Sequence, residues 1–241
     1  MIPQAANPSA IAARLDDLRY RVDRAAVRAG REPGSARIVA ISKTFDARDI
    51  QAARQAGQVD FGENRAQELR RKATAMKSLA SGEGLCWHFV GRLQRNKVRD
   101  VVGLATLIHS VDRVEVARAV ADRAQRIGSV QQVLVQVNIG NDPAKGGCRP
   151  DEALTLVEQV RDLEGVTCRG LMTVPALEVD PRPLFGHLRE LRDVARDRWP
   201  EVQQLSMGMS KDFEVAVEEG ATIVRLGEAI FGSRSARPDS P

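Results

Sequence analysis

The chain has 241 residues, 43% of them hydrophobic and 28% charged, with a formal net charge of +4, the balance of an ordinary soluble globular protein with one substantial core. No apolar run approaches the roughly 18 residues of a membrane span, and "MIPQAANPSAIAARLDD" lacks the basic and apolar stretches of a secretory signal, so a cytoplasmic location is expected. Basic residues alternate with acidic ones along helical stretches such as "RLDDLRYRVDRAAVR", and aromatics make up only 4%, so neither nucleic acid nor a membrane is expected as a partner.

Ile11, Leu15, Leu18, Val22 and Ala26 recur at helical spacing and predict a first helix over 8–30, with Gly30 as its stop. Strand-like runs follow at 37–42, 59–62, 86–91, 106–111, 132–138, 166–173, 203–208 and 222–227. Helical patterns lie between them at 47–57, 66–76, 95–103, 113–128, 150–165, 183–199 and 211–220. Strict alternation of this kind implies parallel strands joined by right-handed crossovers. The expected fold is α/β, a single-domain (β/α)8 TIM-type barrel over 37–232 with an additional N-terminal helix. An open doubly wound sheet is the alternative, but no GxGxxG follows a strand. Neither a linker nor a break in composition divides the chain, and the end from 233 to 241 reads as an unstructured tail.

Cys86, Cys148 and Cys168 are odd in number and far apart, which argues against a disulfide framework. No CxxC or comparable ligand cluster occurs, so no metal site is expected.

The chemistry of such barrels lies at the C-terminal ends of the strands. There the first strand runs into Lys43, in "RIVAISKTF". A lysine at a strand end commonly reaches for solvent. However, only six of the 36 basic residues are lysines, which makes an amine able to lose its proton the sharper reading. Asn64 follows strand two, and "LSMGMS" and "RLGEAIFG" follow strands seven and eight, where barrels often bind phosphate. Taken singly, Asn64 or Ser210 also reads as a helix cap. Gly208 and Gly227 would let the backbone approach an anion, with a hydroxyl from Ser206 or Ser210. Glu228 is an awkward neighbour for a phosphate, so only its backbone N–H is expected to contribute. An amine facing a phosphate cradle suits an aldehyde that carries a phosphate. Pyridoxal 5′-phosphate (PLP) fits, with Arg225 in reach of its pyridine nitrogen.

At these residues the sequence resembles the pyridoxal phosphate homeostasis protein family. The likeness runs through "AISKTF", "DFGENRAQEL", "WHFVGRLQRNK", "HSVD", "VNIGNDPAKGGC", "RGLMTV" and, most specifically, "LSMGMSKDFEVAVEEGATIVRLGEAIFG". It implies a (β/α)8 barrel similar to the N-terminal domain of alanine racemase, binding PLP in vitamin B6 homeostasis without established catalysis. By this resemblance Lys43 is the Schiff-base lysine, Asn64 and Met207 border the ring, and Arg225 faces its nitrogen. Ser206, Gly227 and the amide of Glu228 hold the phosphate. The resemblance further implies a monomer, with PLP-dependent apo-enzymes as candidate recipients.

Three positions depart from the family pattern. Arg92 stands where a histidine is usual, Arg95 where a serine is usual, and Glu228 where a threonine would offer the phosphate a hydroxyl. Lys145, in "NDPAKGGC", is a second candidate amine on what reads as a mobile loop. The only tyrosine, Tyr20, falls on the first helix, away from the mouth, so the second acid–base group of a racemase is not in evidence. A slow PLP-dependent racemase or lyase, and a Schiff-base aldolase acting on sugar phosphates, stay open as alternatives.

Overall fold

The computed structural model describes residues 7–78, 84–175 and 179–232. Eight strands form one closed barrel in chain order, every neighbouring pair parallel. They are β1 (Arg37–Ile41), β2 (Asp60–Glu63), β3 (Cys86–Phe89), β4 (Leu107–Val111), β5 (Gln131–Gln136), β6 (Val166–Met172), β7 (Gln204–Ser206) and β8 (Ile223–Leu226). Each lies inside or within a residue of its expected run. The tail expected from 233 lies outside the described residues.

The outer ring begins with α1 (Pro8–Arg28), α2 (Ala47–Gln55), α3 (Ala66–Ser78) and α4 (Val114–Arg126). It continues with α5 (Ala153–Arg161), α6 (Pro181–Arg198), α7 (Phe213–Glu218) and α8 (Glu228–Phe231). α8 is a single turn, and α1 packs against α2, α7 and α8, completing the ring where α8 is too short to do so. The helix expected over 95–103 is a 3-10 helix, Arg95–Asp100. Its one buried residue is Val98; Val101 caps it and is buried with Val102 in the turn that follows, where Gly103 has φ +90°.

Alternation along the strands sorts the core into two parts. Val39 and Ile41 of β1 join Leu107, Leu134, Met172 and Ile223 in a small cluster inside the barrel. Ile38 and Ala40 face the other way, into the larger core between barrel and helices. Inside, the packing is close: a Cβ on Gly62 would fall 2.5 Å from Ile41 Cδ1. One step past Ile41, Ser42 turns outward to Glu63, and Lys43 opens the turn that follows.

Candidate functional site

The turn that presents Lys43 is fastened on both sides. Before it, the Ser42 hydroxyl donates to Glu63 Oε1 at 2.7 Å, and the Ser42 carbonyl accepts from Lys72 Nζ at 2.6 Å. After it, the Thr44 amide donates to Glu68 Oε2 at 3.1 Å. Thr44 has φ +69°, a left-handed conformation rare for a β-branched residue and costing about 1–3 kcal/mol, which this clamp sustains. Phe45 then stacks on Phe231 with ring centroids 4.6 Å apart, tying the turn to α8. The Asp46–Asp49 capping box starts α2 immediately beyond.

Lys72 anchors the clamp. Its ammonium donates to the Ser42 carbonyl, to Glu63 Oε1 at 2.7 Å and to Glu68 Oε2 at 3.3 Å, which accounts for all three of its donors. Lys72 is 3% exposed and the Glu63 carboxylate is fully buried. Burial raises the Glu63 carboxyl above its ordinary range, against the pull of Lys72. Burial acts the same way on Glu68, but the Thr44 amide and Lys72 outweigh it and leave that carboxyl lowered. Lys43, in contrast, is half-buried and has no hydrogen-bond or ion-pair partner among the described residues. Of the two lysines at this end of β1 and β2, Lys43 is the one with a free amine.

Of the other expected residues, Gly227 is the one with a contact at the base of the Lys43 turn. Gly227 lies beside Ile41, where a Cβ would sit 3.2 Å from the Ile41 carbonyl oxygen, so the loop after β8 passes close to the base of the lysine turn. Glu228 is exposed. Gly208 has φ +94° and no room for a side chain, since a Cβ would fall 2.6 Å from that of Ala216. Asn64 directly follows β2, and its buried Oδ1 lacks a hydrogen-bond partner among the described residues, a polar atom suited to meet a ligand. Arg225, on the barrel side of β8, is 5% exposed and donates to Ser206 Oγ at 2.6 Å and to the Thr173 carbonyl at 2.7 Å. Burial lowers its guanidinium to about 10, opposed by Asp212, so it stays protonated at neutral pH.

Two of the expected residues have their side chains committed to other parts of the structure. The Ser206 hydroxyl is fully buried and engaged by His109 Nδ1 at 2.8 Å and by Arg225, so it points into the barrel, away from any phosphate at the mouth. The Met207 side chain is fully buried in the core between barrel and helices, because alternation turns it outward from the strand preceding it. Ser210 is half-buried, and Arg92 and Arg95 are exposed. The loop carrying Lys145 is held by reciprocal bonds: Asn138 Nδ2 donates to the Asp142 carbonyl at 2.8 Å, and the Asp142 amide to Asn138 Oδ1 at 3.0 Å. Tyr20 is 62% exposed on α1.

Sequence reasoning passed over Lys72, Glu63 and Glu68, and also His88, His109 and Asp60 inside the barrel. Signals existed for both groups. Lys72 is another rare lysine, and both histidines interrupt apolar strand runs, in "CWHFV" and "LIHSV". A cleft of about 420 Å3 among Arg70, Thr74, Arg99, Asp100, Leu104 and Arg123 lies outside the barrel between α3 and α4 and touches none of the strand ends described above.

The family described as "Alanine racemase, N-terminal domain" matches residues 13–235. The "Pyridoxal phosphate homeostasis protein" of Aquifex aeolicus is 44% identical over 225 residues, 92% of this chain and 97% of the relative. A solved structure of an unknown protein from Bifidobacterium adolescentis has a TM-score of 0.87 and 34% identity, covering 95% of this chain and 99% of that one. PipY of Synechococcus elongatus, solved with PLP bound, has a TM-score of 0.80 and 34% identity, covering 92% of this chain and 100% of its own. The chain therefore belongs to the pyridoxal phosphate homeostasis proteins, within the alanine racemase N-terminal domain family.

Proposed function

We propose that this protein binds PLP reversibly through Lys43 and acts as an intracellular PLP store, on which apo-enzymes draw, without fast catalysis. The observation that carries this reading is the free amine of Lys43, held on a clamped turn beside the Gly227 loop, while Lys72 is fully engaged behind it. The PLP-bound structure of the relative PipY supports the choice of ligand. When bound, PLP supplies an aldehyde for Schiff-base formation and a conjugated ring able to delocalise a carbanion.

Lys43 would hold the cofactor by offering its amine to the aldehyde. The loop at Gly227 and the Glu228 amide receive the phosphate, with Ser210 the hydroxyl at this mouth not already engaged elsewhere. The Ser206 hydroxyl serves Arg225 instead, and Met207 contributes its backbone alone. Asn64 offers its unpaired oxygen to the polar edge of the ring. Arg225 faces the ring nitrogen as a donor with no acceptor, which keeps that nitrogen unprotonated and makes the ring a weak electron sink.

Racemisation calls for a second acid–base group on the opposite face. Tyr20 sits on the outer helix and does not supply it. Titrating PLP into the protein tests the reading: wild type is expected to develop a visible absorbance band that Lys43→Ala lacks. Equal bands in both proteins, or none in either, would refute it.

A further inference from the structure

A line of hydrogen bonds crosses the interior of the barrel. Asp60 Oδ1, at the start of β2, is 2.9 Å from His88 Nε2 on β3. His88 Nδ1 is 2.8 Å from His109 Nε2 on β4. His109 Nδ1 is 2.8 Å from Ser206 Oγ on β7, and Ser206 Oγ is 2.6 Å from Arg225 on β8. His88 is 1% exposed, and His109 and Ser206 are fully buried. Asp60 lines a cleft of about 310 Å3 at the opposite end of the barrel from Lys43.

The charged ends and two neutral rings together set every proton between them. Arg225 can only donate, so Ser206 Oγ accepts from it and, with both buried rings neutral, gives its own hydrogen to His109 Nδ1. His109 then carries its proton on Nε2 and donates to His88 Nδ1. His88 in turn carries its proton on Nε2 and donates to the Asp60 carboxylate, which can only accept. Every hydrogen points from Arg225 towards Asp60, and each histidine is neutral. With both rings neutral and Asp60 accepting, this is the one arrangement that gives every ring N–H an acceptor and every ring lone pair a donor, whereas two charged rings would set two N–H groups against each other across 2.8 Å. The charged and titratable groups around the pair agree with this. Burial disfavours both imidazolium forms; Arg37 acts the same way on both, and Arg225 on His109, while Asp60 alone pulls His88 the other way. Polar groups committed in one direction polarise one another and resist rotation.

We propose that Asp60, His88 and His109 are positioning residues for Arg225, acting through Ser206 to hold its guanidinium in one orientation at the ligand mouth. The consequence for the ring nitrogen rests on the PLP reading above. The line of donors itself does not.

The test is long-range 1H–15N NMR of the histidine rings in the apo protein, followed by binding of PLP labelled with 15N at the ring nitrogen. There are only three histidines, and the exposed His187 provides a reference signal. His88 and His109 are expected as neutral Nε2–H tautomers from about pH 8 to about pH 6. The other tautomer, or a charged ring at neutral pH, would overturn the proposal whether or not PLP binds.

Ser206→Ala cuts the line next to Arg225. It is expected to shift the ring-nitrogen resonance and to raise the PLP dissociation constant by about tenfold, the scale of one lost charge-assisted bond. His109→Gln can still donate to His88 and accept from Ser206, and is expected to keep the wild-type resonance. A merely structural role would lower stability in both variants and leave the resonance unmoved, which would contradict the proposal. Absence of borohydride-trapped PLP on wild-type Lys43 would instead mark failure of the ligand reading, with the histidine tautomers still deciding the line of donors.

Discussion

Lys72 Nζ lies 2.7 Å from Glu63 Oε1, both sealed from solvent directly behind the turn that carries Lys43. An ion pair this deeply buried is held less by its own net energy than by the cost of breaking it. Removing Lys72 takes away the cation that offsets the burial of Glu63, leaving that carboxyl only the Ser42 hydroxyl, and frees the Ser42 carbonyl. Lys72→Met is expected to cost about 3–5 kcal/mol in chemical denaturation, with Glu63→Gln in the same chain recovering a large part. An unchanged denaturation midpoint in the single variant would remove the pair from the account.

Gly208 and Gly30 both have positive φ but different surroundings. A Cβ on Gly208 would lie 2.6 Å from the Cβ of Ala216 and 3.1 Å from Phe213 Cα, whereas nothing lies within 4 Å of the same position on Gly30. Gly30→Ala is expected to cost about 1 kcal/mol, from backbone strain alone. Gly208→Ala adds overpacking against α7 and is expected to cost more than about 2 kcal/mol, with weakened PLP binding. Equal costs by denaturation would show that α7 yields easily.

The buried histidines make stability depend on pH. His88 and His109 are both lowered from the ordinary value of 6.5, chiefly by burial. Unfolded, they take up protons below about pH 6.5 that the folded chain refuses, so the unfolded state gains as pH falls. Their contribution is complete above that pH and is lost progressively below it, by up to about 1.4 kcal/mol per pH unit for each ring. Glu63 and Asp212, raised by burial, work in the opposite sense. Comparing wild type with His109→Gln between about pH 7 and pH 5.5 isolates the histidine part, and the variant is expected to lose less stability on acidification.

Met207 was expected at the ligand, yet its side chain belongs to the outer core. Met207→Leu conserves volume and is expected to cost less than about 1.5 kcal/mol. Met207→Ala opens a cavity worth about 2–5 kcal/mol. PLP affinity is expected to stay at the wild-type value in the leucine variant. A marked loss there would place the side chain at the ring after all.

The barrel was legible because its strands are short apolar runs buried on both faces, separated by helical patterns whose stops are glycines such as Gly57, Gly128, Gly165 and Gly220. The segment at 95–103 misled because Val98, Val101 and Val102 satisfy a helical template over so short a stretch, and only packing chose the 3-10 form. Lys43 could be singled out because it follows an apolar strand run, and Arg225 because it stands just before the glycine loop after strand eight. For Lys72 the rarity of lysine was the one signal, since "AQELRRKATAM" reads as a solvated face and nothing local says that Glu63 waits behind it. That Ser206 meets His109 and Arg225 was illegible for a related reason. His109 and Ser206 are 97 positions apart, and only closure of the barrel puts them 2.8 Å from one another.

The central claim is that the amine of Lys43, and no other, takes the ligand. Incubation with PLP, reduction with borohydride, proteolysis and mass spectrometry of the peptides address it directly. The expected result is a reduced pyridoxyl phosphate adduct on the peptide bearing Lys43, with the peptides of Lys72 and Lys145 unmodified. An adduct chiefly on Lys72 or Lys145, or no adduct on any lysine, would contradict it.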